Sequence, residues 1–205
     1  MSPCLYPFSS LMISPDGSVR LCSSSLDVMG DLTGSSVRDV WRGVRLRDVR
    51  ETMSEGRWPR ACRGCERSEE IGLPSKRRKF LESRNKVWGS SVCASALSAE
   101  IPPVMHLDLS FSNLCNLSCV TCSGYYSTGW TEKEAKARGE GLLYQESKGV
   151  SGVKRLPPDR IDELLRDFVP QLRTLLIKGG EPLVDPECLR FLEGLAKSPD
   201  RRADL

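Results

Sequence analysis

Nine cysteines and one histidine are the residues of this chain whose chemistry stands out. Three of the cysteines lie in Cys115-Asn116-Leu117-Ser118-Cys119-Val120-Thr121-Cys122, a C-x3-C-x2-C loop. Thiolates this close in sequence can ligate three irons of a [4Fe–4S] cluster and leave the fourth iron open. An open iron can bind a substrate or cofactor, whereas a fully ligated cluster only passes electrons. The alternative is a zinc site that takes three ligands here and a fourth from elsewhere. Cys62-Arg63-Gly64-Cys65 adds a C-x2-C pair, and Cys4 and Cys22 flank a turn sequence. A single histidine largely excludes mixed Cys/His sites. An odd number of cysteines with no export signal argues against a disulfide framework.

The elements around these residues follow from pattern. Ser14-Pro15-Asp16-Gly17 is turn chemistry between two short apolar runs, and predicts a β-hairpin. Ser35 or Ser36 caps a helix with apolar positions at Val37, Val40, Trp41, Val44 and Val49, ended by Gly56. Trp41 is read as core. A second helix spans about Ser75 to Trp88, and its run Lys76-Arg77-Arg78-Lys79 is read as a solvated face. Residues 89–103, small and ending in Pro102-Pro103, read as a linker containing Cys93. Val104 to Phe111 alternates as a strand, with His106 inside it in a packing role. Residues 125–156 are polar, with a helix near Glu132–Arg138. Pro157-Pro158-Asp159 opens a helix carrying Ile161, Leu164, Leu165 and Phe168. Leu172 to Ile177 is a strand that runs into Gly179-Gly180-Glu181-Pro182, and Asp185 caps a last helix from Pro186 to Lys197, with Cys188 as a small core residue. The second half thus reads strand, helix, strand, helix, the start of a parallel α/β fold. Ligands of such folds bind outside the C-terminal strand ends, where the two glycines allow close backbone approach.

Composition narrows the function classes. The chain has 205 residues, 39% hydrophobic and 28% charged, enough apolar side chain for a core. A net charge of +3 is too mild to imply nucleic acid. No run approaches the roughly 18–20 apolar residues of a membrane span, so a cytoplasmic protein without a membrane partner is expected.

The stretch Phe111-Ser112-Asn113-Leu114-Cys115-Asn116-Leu117-Ser118-Cys119-Val120-Thr121-Cys122, followed by the Gly-Gly-Glu-Pro strand end, resembles the radical S-adenosylmethionine enzymes. The resemblance implies that Cys115, Cys119 and Cys122 hold a [4Fe–4S] cluster whose open iron chelates S-adenosylmethionine. It implies that the turn Gly179, Gly180, Glu181 and Pro182 binds the methionyl amino end. The implied reaction is reductive cleavage to a 5′-deoxyadenosyl radical, which abstracts hydrogen from a C–H bond. The substrate would be a peptide, a protein or a small molecule, and the electron would come from a flavodoxin- or ferredoxin-type reductant. Thr121 departs from the family, where an aromatic residue often precedes the third cysteine.

The N-terminal half resembles the twitch domain, a short relative of the SPASM domain. The matching features are Cys4-Leu5-Tyr6-Pro7-Phe8, the Pro-Asp-Gly turn, Cys22, Gly30-Asp31-Leu32, Val40-Trp41, Leu46-Arg47 and Cys62-x2-Cys65. That resemblance implies an auxiliary [4Fe–4S] cluster on Cys4, Cys22, Cys62 and Cys65, suited to electron transfer. A Cys4-type zinc site, and with it a zinc-stabilised binding module or a non-catalytic iron–sulfur electron carrier, is the alternative. The implied layout is a small α+β domain of hairpin and helices over 1–88, a linker over 89–103, and the first two βα units of a partial (β/α)6 barrel over 104–205. Six such units need far more chain, so the sequence is expected to be a fragment cut after the second unit.

Overall fold

The computed structural model describes residues 3–25, 27–139 and 154–199. In chain order the first elements are α1 (Tyr6–Ser9), β1 (Ser10–Ile13), β2 (Ser18–Arg20), β3 (Val28–Asp31), α2 (Val37–Arg42) and α3 (Val44–Ser54). There follow α4 (Arg63–Glu70), α5 (Lys76–Trp88), α6 (Ser90–Ser98), β4 (His106–Ser110), α7 (Thr128–Gly139), α8 (Pro158–Glu163), β5 (Thr174–Lys178) and α9 (Pro186–Lys197).

The hairpin forms as its turn requires. Gly17 takes φ of 80° and its N–H donates to the Ser14 carbonyl at 2.9 Å. The helix expected from Ser35/Ser36 to Gly56 is two helices. Ser36 caps α2 by accepting from the Asp39 N–H at 3.0 Å. Gly43, extended at φ −65° and ψ 157°, then breaks the helical path before α3. A Cβ at Gly43 would lie 2.9 Å from the Asp39 carbonyl oxygen, so the corner is built for glycine.

The two halves of the chain share one sheet, in the order β3-β2-β1-β4-β5. β1 pairs antiparallel with β2 and parallel with β4, with Ser10 opposite His106 and Ile13 opposite Leu109. β4 pairs parallel with β5, with His106 opposite Thr174 and Ser110 opposite Lys178. The expectation of a separate N-terminal hairpin beside a two-stranded parallel sheet is therefore corrected. The free edge of β4 is covered by β1, which satisfies backbone groups that a two-stranded sheet would leave open. The arrangement is a five-stranded mixed sheet with helices.

The stretch expected to be a linker contains helix α6, and its Cys93 is buried with Leu5, Phe80, Trp88, Ala96 and Met105. One face of the sheet carries Leu11, Ile13, Leu107 and Leu109 into the main core, joined by Trp41, Ile161, Leu164, Phe191 and the fully buried Cys188. Trp41 also donates from Nε1 to the Pro102 carbonyl at 2.8 Å. α8 runs on into a π-helical turn over Leu164–Phe168 and a 3-10 turn over Val169–Gln171. Part of the polar stretch 125–156 lies outside the described residues; the helix expected near Glu132–Arg138 is the interior of α7.

Candidate functional site

β4 ends at Ser110, and the chain then turns through Phe111–Leu114 into the three-cysteine loop. Two hydroxyls set this exit. Ser112 Oγ accepts from the Leu114 N–H at 3.0 Å and donates to Asp185 Oδ2. Thr128 Oγ1, at the start of α7, accepts from the Cys115 N–H at 3.0 Å and donates to the Cys115 carbonyl at 2.9 Å. The loop is further tied by Ser127 Oγ to the Leu117 carbonyl at 2.8 Å and by Trp130 Nε1 to the Cys119 carbonyl at 2.8 Å. Its own backbone turns between Cys119 and Cys122, whose N–H donates back to the Cys119 carbonyl at 3.0 Å. Cys115 and Cys122 are half-buried and Cys119 is exposed, so the loop lies at the surface with its thiols accessible.

The Gly-Gly-Glu-Pro turn at the end of β5 sits directly on this exit. The Gly180 N–H donates to the Ser112 carbonyl at 3.3 Å, and the Glu181 N–H donates to the Leu114 carbonyl at 2.8 Å. Gly179 takes φ of 119°, a conformation that disfavours any side chain. A Cβ at Gly180 would stand 2.0 Å from the Leu114 carbonyl oxygen. Both glycines are thus demanded by close approach to the segment before Cys115. Asp185 completes the joint. It caps α9 by accepting from the Glu187 N–H at 2.9 Å while its other oxygen holds Ser112. Asp185 was foreseen as a cap; its grip on Ser112, and the part played by Thr128, were not, because hydroxyls in a loop carry no periodic signal.

The second set of cysteines comes together across a long stretch of sequence. Cys4, before α1, Cys22, after β2, and the pair Cys62 and Cys65, at the start of α4, line one cavity with Tyr6, Trp58, Lys76 and Arg77. Burial holds the Cys4 thiol well above its ordinary range, and the neighbouring Cys62, Cys22 and Cys65 sulfurs add to the effect. Burial pushes the Cys62 thiol up to about 12, reinforced by Cys22 and Cys65. Burial also raises Cys22. Buried thiols of this kind stay neutral unless a metal centre deprotonates them on binding. Among the described residues, no three His, Cys, Asp or Glu side chains converge tightly enough to hold a single metal ion. A cluster interposes iron and sulfide between its thiolates, whereas a lone zinc draws each sulfur to about 2.3 Å from one centre. The donor chemistry is all thiol, as an iron–sulfur cluster requires.

In the basic run at the start of α5, Arg78 and Lys79 are exposed as a solvated face expects, Lys76 is half-buried, and Arg77 departs from that role. Arg77 is 5% exposed, pairs with Glu69 of α4 and lies over the Trp58 ring at 4.9 Å. His106 is buried as expected for packing, with Nδ1 2.8 Å from Thr174 Oγ1.

Residues 4–66 match the family model SPASM, described as an iron-sulfur cluster-binding domain. The matched stretch contains Cys4, Cys22, Cys62 and Cys65. No curated protein and no solved structure matches the chain. No helix among the described residues is long and apolar enough to cross a membrane.

Proposed function

We propose that this chain carries the first part of a radical S-adenosylmethionine enzyme fused to an auxiliary iron–sulfur module. The observation that carries this reading is the seating of the Gly-Gly-Glu-Pro turn on the backbone that leads into Cys115, through Gly180 N–H to Ser112 and Glu181 N–H to Leu114. A loop of three thiols and a half-buried glycine turn lie at one end of adjacent parallel strands, where α/β sheets bind ligands. The SPASM match supports iron–sulfur chemistry in the N-terminal half.

In this reading Cys115, Cys119 and Cys122 hold the first cluster, and Cys4, Cys22, Cys62 and Cys65 hold the second. When bound, the first cluster would supply the electron for reductive cleavage of S-adenosylmethionine, chemistry that serves hydrogen abstraction from a peptide, protein or small-molecule C–H bond. The protein's own residues position the cofactor. Ser112 and Thr128 fix the entry and first turn of the thiol loop. The Gly179–Pro182 turn would meet the methionyl amino end, and its two glycines let it seat closely on the exit into Cys115. Asp185 locks the turn's following helix to the same loop. In this reading the auxiliary centre, ligated by thiols alone, suits electron transfer, and a flavodoxin- or ferredoxin-type reductant would supply the electron for cleavage. The expected setting is the cytoplasm.

The test is metal content after anaerobic reconstitution, followed by electron paramagnetic resonance of the reduced chain with and without S-adenosylmethionine. The expected result is about eight irons with matching sulfide, and one signal that changes on adding S-adenosylmethionine and disappears in Cys119→Ala. Near-zero iron with one or two zincs per chain overturns the reading in favour of a zinc-stabilised module. Full iron with spectra indifferent to S-adenosylmethionine leaves an electron carrier.

A further inference from the structure

The four-cysteine cavity is walled by two cations that are held in different ways. Lys76 and Arg77 open α5 and both line the cavity. Arg77 is buried against a carboxylate: it pairs with Glu69, which also accepts from Ser75 Oγ at 2.5 Å and meets Arg78 at 3.3 Å. Lys76 faces neutral groups. Its ammonium donates to Ser23 Oγ, on the residue next to Cys22, and stands 5.7 Å from the centre of the Tyr6 ring. One charge at the cavity wall is therefore locally compensated and the other is not.

We propose that Lys76 is the residue that sets the reduction potential of the auxiliary cluster, and that Glu69 limits the contribution of Arg77 by neutralising it. This rests on the reading of Cys4, Cys22, Cys62 and Cys65 as cluster ligands. A cluster ligated by four thiolates is anionic, and it gains one further negative charge when it accepts one electron. A cation at its wall stabilises the reduced form more than the oxidised form, and in a partly buried cavity that difference is weakly screened. Removing the Lys76 charge makes the cluster harder to reduce. Removing the Glu69 charge exposes the cluster to the full field of Arg77 and makes it easier to reduce. The two substitutions act with opposite sign, which loosening of the module would not produce.

The experiment uses the full chain with Cys119→Ala and Cys122→Ala, so that only the auxiliary cluster assembles. Iron and sulfide are counted, and the midpoint potential is then read by a dithionite titration monitored by electron paramagnetic resonance, dithionite supplying the electron. The expected parent binds about four irons. Lys76→Gln keeps that iron and lowers the equilibrium constant for reduction about tenfold, a shift of roughly 59 mV for a one-electron couple. Lys76→Arg retains the parent potential, and Glu69→Gln shifts it upward. Lys76→Gln with full iron and an unchanged potential overturns the proposal, as does a Lys76→Arg potential that falls with it. Should Glu69→Gln fail to fold, the Lys76 pair decides alone. A parent that binds no iron overturns the cluster reading itself, a distinct result.

Discussion

Gly180 carries more constraint than any other residue at the proposed cofactor turn. Its Cα faces the Leu114 carbonyl so closely that a methyl group has nowhere to go: the added carbon would lie 2.0 Å from that oxygen. Gly180→Ala must push the turn off the cysteine-loop exit, breaking the Glu181 N–H bond to Leu114. The expected cost is about 1–3 kcal/mol of stability, the range for overpacking a tight contact. The functional effect should be larger. The three-cysteine loop keeps its own ties to Thr128 and Trp130, so iron content should hold while the spectral response to S-adenosylmethionine is lost. Thermal unfolding and iron-normalised paramagnetic resonance on the same sample check both halves of this statement. The pairing of cysteine spacing with the glycine turn was legible in the sequence because each motif is local. The hydroxyls of Ser112 and Thr128 were not, since their role depends on partners that only the folded chain brings near.

Among the elements, α2 and α8 form the joint between the early and late parts of the chain. Both oxygens of Glu163, in α8, accept backbone N–H groups at the start of α2, from Val37 and Arg38, each at 2.9 Å. Arg38 reaches back to Asp167 at 2.9 Å. A carboxylate placed on the positive end of a helix, and itself 6% exposed, does the work of a cap supplied from a distant segment. Glu163→Ala removes both bonds and leaves the buried Val37 N–H and the part-buried Arg38 N–H unpaired. It should cost about 2–4 kcal/mol, measured as a lower urea midpoint with an unchanged slope. The helices were largely readable from apolar spacing and from Ser36, Ser75, Pro158 and Asp185 at their starts. The break at Gly43 and the helix over Ser90–Ser98 were not. Apolar spacing ran on through Gly43, and a run of serine and alanine looks like a linker until its buried face, Cys93 and Ala96, finds a core.

For the molecule as a whole, the sheet order joins the iron–sulfur module to the parallel strands through the β1 and β4 ladder. Long-range strand pairing of this kind cannot be read from local pattern, so the sequence showed two separate sets of strands where there is one sheet. His106 lies at this junction, between Ser10 and Thr174 in register and beside the Phe80 ring at 5.6 Å. Burial, and then the charges of Arg84 and Lys178, lower its pKa from 6.5 to about 4. The unfolded chain therefore binds the proton first. The neutral imidazole contributes stability that is complete above the unfolded value and is lost as pH falls from 6.5 towards 4. Between pH 7 and pH 5 this single group should remove about 2 kcal/mol, and His106→Gln should flatten that part of the acid limb in urea titrations. The same ladder has a consequence in time. During synthesis β1, β2 and β3 leave the ribosome long before β4, because residues 32–105 separate β3 from it. Until then β1 offers one side with no strand partner, a row of backbone groups open to any passing strand. The four-cysteine module is thus born with an adhesive seam, and the arrival of His106–Ser110 is the event that seals it.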